Sequence, residues 1–268
     1  MKFLMINIGV GLVQAVALTL AAPLLLGIVF RLARIGRPGP ADGLLFLYER
    51  LGAARFHNLS LGPTLEFVCV FLAASMLPGF LGAKITFGDF PLLTALLGMA
   101  ALAAALYGEE DGGSGVPQKQ VLFEAGLFCA ALFLAIACRG FHAMSTMLPD
   151  AAFQFRGTYL TGYTELAALG FFSLLAAEGE GALRYFTGTR PEAMTFWGAL
   201  ARLLRTVVLL MLCAELFLPV PLPSGPRALV TAVLLAAVLA VLGHFRLYAR
   251  RILLTAAPVL LFLSILAQ

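Results

Sequence analysis

The chain has 268 residues, 61% of them hydrophobic and 12% charged, with a mean hydropathy of +0.97 and a formal net charge of +4. A water-soluble domain of this length needs far more polar residues to cover its surface, so the composition excludes soluble enzymes and points to an all-α integral membrane protein. The positive balance is small and dispersed, and no Lys/Arg run makes a nucleic-acid patch; basic residues here report topology instead.

Lys2 followed by a long apolar run ending near Ala21 and Ala22 imitates a secretory leader. The run is about twice a leader's apolar core, so it is read as a retained first span. Eight apolar segments are each long enough, or nearly so, to cross a hydrocarbon core of ~30 Å. They are Leu4–Phe30, Leu65–Leu81, Phe90–Tyr107, Val121–Cys138, Tyr159–Ala177, Leu203–Leu218, Ala228–Phe245 and Ile252–Ala267, in one membrane domain over residues 1–268. Their Leu/Ala/Val runs lack the alternation of membrane strands, which leaves helices. With eight spans, thirteen of the eighteen lysines and arginines fall on one side. The excess of positive charge on cytoplasmic loops then predicts both termini outside.

The first cytoplasmic loop, residues 31–63, is the longest of the cytoplasmic loops. Pro38 and Pro40 around Gly39 stop the first helix, because proline lacks an amide donor and restricts the residue before it. Asp42 is placed to cap a short amphipathic helix with Leu44, Leu47, Tyr48 and Leu51 on one face and Glu49 and Arg50 off it. Such a helix lies in the membrane interface or beneath a docked subunit. A second cytoplasmic loop, residues 178–202, mixes Glu178, Glu180, Arg184, Arg190 and Glu192 with Tyr185, Phe186 and Trp197. Both charge signs with aromatics suit a docking surface, and an ordinary aromatic belt is the competing reading.

Glu66, Glu124, Glu165 and Glu215 lie in or at the edge of apolar spans, where a carboxylate is costly unless it faces protein or water. Glu66 and Glu124 sit near the cytoplasmic edge and are candidates for proton handling; the other two lie towards the outer halves of their spans. Cys69, Cys129, Cys138 and Cys213 stand singly in apolar runs, and His57, His142 and His244 share no ligand spacing, so no metal site is expected.

The run Pro23, Gly27, Arg31, Arg34, Arg37, Gly39 and Pro40, spaced P-x-x-x-G-x-x-x-R-x-x-R-x-x-R-x-G-P, resembles the H-type (subunit 1) membrane subunit of respiratory complex I. It is more similar to the related subunit of formate hydrogenlyase and other energy-converting [NiFe] hydrogenases. The likeness continues through Leu77-Pro78, Gly88-Asp89, the YGEEDGGSG loop, Glu124, the RYFTG segment with Trp197-Gly198, and Leu216 to Pro219. The long acidic segment of that family is reduced here to Glu178 and Glu180.

The resemblance implies a non-catalytic anchor subunit in a prokaryotic inner membrane, without a cofactor of its own. Its partners would be membrane lipid, a small subunit with iron–sulfur clusters, a large subunit of the NiFe type, and antiporter-like membrane subunits. Docking would fall to Arg31, Arg34, Arg37, Gly39, Pro40, Tyr48, Glu49, Arg50 and Tyr185, and proton coupling to Glu66, Glu124, Glu178 and Glu180. The alternatives are a quinone-site subunit, which the shortened acidic segment disfavours, and a stand-alone cation-coupled transporter, for which no internal repeat is seen.

Overall fold

The computed structural model describes residues 2–33, 45–54, 61–77, 90–107, 162–188, 194–217, 224–242 and 249–266. The elements they form are helices: α1 (Lys2–Ala33), α2 (Phe46–Gly52), α3 (Leu61–Ser75), α4 (Phe90–Tyr107), α5 (Gly162–Gly188), α6 (Phe196–Phe217), α7 (Ser224–Leu242) and α8 (Ala249–Leu266). Seven of the expected apolar segments overlap these helices in position. The expected span Val121–Cys138 lies outside the described residues, as do Arg34, Arg37, Gly39, Pro40, Asp42 and Glu124.

The helix α6 is the hub. It packs against α1, α2, α3, α5 and α7, and from Ala199 to Ala214 nearly every side chain is buried. A helix apolar on nearly all sides belongs in the centre of a bundle, and the charged or hydroxyl side chains of α6 are confined to Arg202, Arg205, Thr206 and Glu215. Around it α3 pairs with α4 and α5 with α8, while α1 lies across α3, α6 and α7. Two helices, over Ile8–Ala33 and Phe196–Ala214, are long and apolar enough to cross a membrane.

Close crossings are made where side chains are small or polar. A Cβ on Gly11 of α1 would sit 2.8 Å from the Ser75 carbonyl oxygen of α3. One turn further along α1, the buried Gln14 donates through Nε2 to the carbonyls of Ala74 and Leu77, at 3.3 and 3.0 Å. Carbonyls at and just beyond the end of a helix lack an intrahelical i, i+4 donor, and Gln14 donates to two of them from a neighbouring helix. On α5, a Cβ on Gly179 would meet Leu235 of α7 at 3.3 Å.

The segment expected as a docking loop over 178–202 is mostly helix. Residues 178–188 form the last three turns of α5, and 196–202 open α6. The hydropathy reading ended a span at Ala177 because Glu178, Gly179 and Glu180 break the apolar run. Here both acids have arginine partners and Gly179 provides a close approach, so nothing forces the helix to stop.

The α1–α3 crossing generates a paired expectation. Gly11→Ala, with its Cβ pressed on Ser75, is expected to lower stability by about 1–3 kcal/mol, the usual cost of overpacking. Gly9→Ala, which meets nothing within 4 Å, is expected to be neutral or slightly stabilising because alanine favours helix. Thermal unfolding midpoints of the two variants in detergent check the contrast.

Candidate functional site

Three helices bring a group of charges together inside the bundle. The N-terminal part of α3 gives Glu66, the C-terminal part of α5 gives Glu178, Glu180, Arg184 and Tyr185, and the N-terminal part of α6 gives Arg202 and Arg205. The ends are held level by aromatic packing: Trp197 of α6 lies 5.0 Å from Phe67 of α3, ring centre to ring centre, and Phe196 meets Trp197 edge-on at 5.4 Å. At a rise of 1.5 Å per residue, Glu66 lies about 8 Å from the start of α3 and Arg205 about 14 Å from the start of α6. Glu178 lies about 15 Å back from the end of α5, which puts it opposite Arg205.

The deepest contact is an ion pair and hydrogen bond from the Arg205 guanidinium to the Glu178 carboxylate, with both side chains buried. Buried charges of this kind persist only as pairs, because each alone carries a large desolvation cost. Nearer the helix ends, Arg184, half-exposed, pairs with Glu180 across one helical turn, an i, i+4 spacing that sets the two side chains on one face. Beside them the Arg202 guanidinium stacks over the Tyr185 ring at 4.1 Å from its centroid, a cation–π contact that gains strength as water is excluded.

Glu66 completes the group. It is only 4% exposed, and within its electrostatic reach lie Arg202, Arg205 and Glu178. Its Oε1 receives no hydrogen bond among the described residues, and neither does Oε2 of the buried Glu180. A buried carboxylate oxygen without a donor is an expensive feature.

The short helix α2 packs on α1 and α6. Its buried residues are Phe46, Leu47 and Leu51, so the inward face is turned from the expected one: Phe46 takes the place assigned to Tyr48. Tyr48 is exposed, and its hydroxyl donates to the Leu20 carbonyl on α1. That carbonyl lies one residue beyond the Thr19 carbonyl, whose amide partner Pro23 cannot supply. Arg50 stacks over Phe46 at 5.2 Å, while Glu49 and Arg31 are exposed. Leu45, rather than an Asp, precedes the first helical residue, and it makes no side-chain cap; the Leu45 carbonyl accepts from the Glu49 amide at 2.9 Å.

The expected site residues therefore divide. Glu66, Glu178 and Glu180 come together, inside the bundle and not on a loop. Tyr185 is 9% exposed and lies beneath Arg202, within the cluster. Arg31, Tyr48, Glu49 and Arg50 remain at the end of α1 and on α2. Sequence reasoning counted Arg202 and Arg205 only as topology markers, and it passed over Gln14. The signal was present in each case: an arginine or a glutamine inside an apolar run needs a partner there, as a lone glutamate does.

Among the described residues no group of three or more His, Cys, Asp and Glu side chains is arranged to hold a metal ion. No protein-family model matches the chain, and no curated protein matches it.

Arg205→Met leaves two buried carboxylates facing each other without their cation and is expected to cost about 3–5 kcal/mol, the range for breaking a buried pair. Tyr185→Phe, which keeps the ring under Arg202, is expected to be close to neutral, whereas Tyr185→Leu loses about 0.5–2 kcal/mol of cation–π attraction. Unfolding midpoints order the three variants.

Proposed function

We propose that this chain is a membrane-embedded anchor subunit of an energy-converting, hydrogenase-like or complex I-like redox assembly. In this role the end of the bundle carrying Arg31 and α2 receives the peripheral electron-transfer arm, and the buried cluster beneath it handles protons. The observation that carries the proposal is the Glu66, Glu178, Arg205 group, a charged and incompletely hydrogen-bonded site enclosed by α3, α5 and α6 a few turns from that end.

The membrane setting is supported by the outer face of α1. Ile8, Leu12, Val16, Leu20, Leu24, Ile28 and Leu32 recur every four residues, and all are 40% exposed or more. On α3, Leu61, Leu65, Val68 and Leu72 make a second such stripe. The α1 stripe extends over about 36 Å at 1.5 Å per residue. Soluble monomers rarely expose continuous apolar surface on that scale, and hydrocarbon is its natural cover.

The charge balance favours coupling over cation carriage. Glu66, Glu178 and Glu180 are matched by Arg184, Arg202 and Arg205, so a metal cation would meet a neutral group. A proton can join or leave such a group because it needs only one oxygen with a free lone pair, and Glu66 offers one. The chain itself supplies no redox centre in this reading; its role is to hold the arm and to respond to it.

Affinity purification of the tagged chain from its native membranes tests the proposal. Co-purification of an iron–sulfur protein, a large catalytic subunit and antiporter-like membrane subunits is the expected result, and recovery as a lone homo-oligomer overturns it. Arg31→Glu is expected to lower the yield of the peripheral subunits several-fold while leaving the membrane subunits in place. An unchanged yield would remove Arg31 from the docking surface.

A further inference from the structure

The Arg205 guanidinium is paired with one carboxylate and lies in the electrostatic field of a second, and the two stand on different helices. Glu178 of α5 holds it in an ion pair. Glu66 of α3 lies in its field with one oxygen lacking a donor. The helix that carries Arg205 packs directly against both α3 and α5, so one side chain on α6 stands between two acids that belong to separate walls of the bundle.

Few other groups bear on Glu66. From α6 it faces Arg202 and Arg205, and from α5 it faces Glu178. The helix α4 carries no charged residue, and the charged residues of α1 are Lys2 and Arg31, near its two ends. Arg202, the cation whose charge acts most strongly on Glu66, is stacked over Tyr185 near the rim, and the more deeply buried Arg205 is the second. Glu180 is engaged by Arg184 on its own helix.

We propose that Arg205 is a shared guanidinium that exchanges Glu178 for Glu66, so that the charge on one helix wall is read out as the closing or loosening of the other. A proton bound to Glu178 removes its hold on Arg205, and the guanidinium turns to the ionised Glu66. A proton bound to Glu66 returns Arg205 to Glu178. By linkage, whatever changes the proton affinity of one acid changes that of the other in the opposite position of the arginine. With Glu178 holding Arg205 through one nitrogen, Glu66 keeps an oxygen that receives no hydrogen bond among the described residues. The exchange deepens the proton-handling role proposed above and takes its purpose from that reading. Its test reads the chain's own stability, so a failed exchange and a failed docking are told apart.

The test is a double-mutant cycle on the full chain, purified with whatever subunits accompany it, in a background with Cys129 and Cys138 replaced by serine. Thermal opening is read by a thiol-reactive dye that reaches the buried Cys69 of α3 and Cys213 of α6 as the bundle loosens. Glu66→Gln leaves Arg205 with Glu178, so its midpoint is expected near that of the parent. Glu178→Gln sends Arg205 to Glu66 and lowers the midpoint moderately. The double variant strands a buried guanidinium, and its midpoint is expected to fall by at least about twice the sum of the single shifts. Adding Arg205→Met to the double variant is expected to recover most of that fall. Should the double variant fail to accumulate, restored accumulation on adding Arg205→Met supports the exchange equally. Additive shifts, or no recovery on removing the guanidinium, overturn it.

Discussion

The ion pair between Arg205 and Glu178 constrains the rest of this structure. A guanidinium and a carboxylate about 14 and 15 Å inside their helices, by rise per residue, can stay charged only if the two helices meet at that depth. That requirement sets the vertical register of α5 against α6. With the register set, Tyr185 falls under Arg202, Glu180 and Arg184 face the same end, and Phe67 of α3 meets Trp197. The electrostatic contact is therefore a gauge for packing as well as a site.

Helix approach elsewhere is achieved by omitting atoms. Gly11 lets α1 come against the last carbonyls of α3, where Gln14 then supplies the donors. Gly179, between the two cluster acids, lets α5 come against Leu235 and Leu239 of α7. Gly198 sits where a Cβ would press on the Thr195 hydroxyl and approach Pro63 of α3. Close backbone packing of this kind lets helices hold together where small residues meet. By hydropathy alone the same glycines read as breaks.

That ambiguity explains which parts were legible in the sequence. The all-helical character and seven of the expected segments follow from long apolar runs, whose length and lack of alternation allow little else. The α5–α6 boundary does not follow, because a window of hydropathy treats Glu178, Glu180, Arg202 and Arg205 as four separate costs and ends the spans around them. Paired in space, they are much cheaper, and pairing between residues 27 apart is invisible to a local sum. Glu66 stood out because it is a lone acid in an apolar run. Gln14 carries no charge and did not stand out, although its buried amide is as dependent on partners. The inward face of α2 was misjudged by one residue type: tyrosine was grouped with the apolar residues, whereas its hydroxyl finds the Leu20 carbonyl and holds the ring outside.

The position of the cluster relative to α2 bears on how an event at the surface would reach it. The helix α2 rests on α1 and α6, and α6 carries both Arg202 and Arg205. A displacement of α2 by a docked subunit would therefore load the element whose arginines face the other two walls of the site. Such loading changes a proton equilibrium only if the two positions of α6 differ in how well they stabilise charge on Glu66 and Glu178. Arg205 is paired with Glu178 and lies in the field of Glu66, so a shift of α6 that changes its distance to each would be felt by both acids. The oxygen of Glu66 that receives no hydrogen bond among the described residues is the place where such a shift could be read as a change in proton binding.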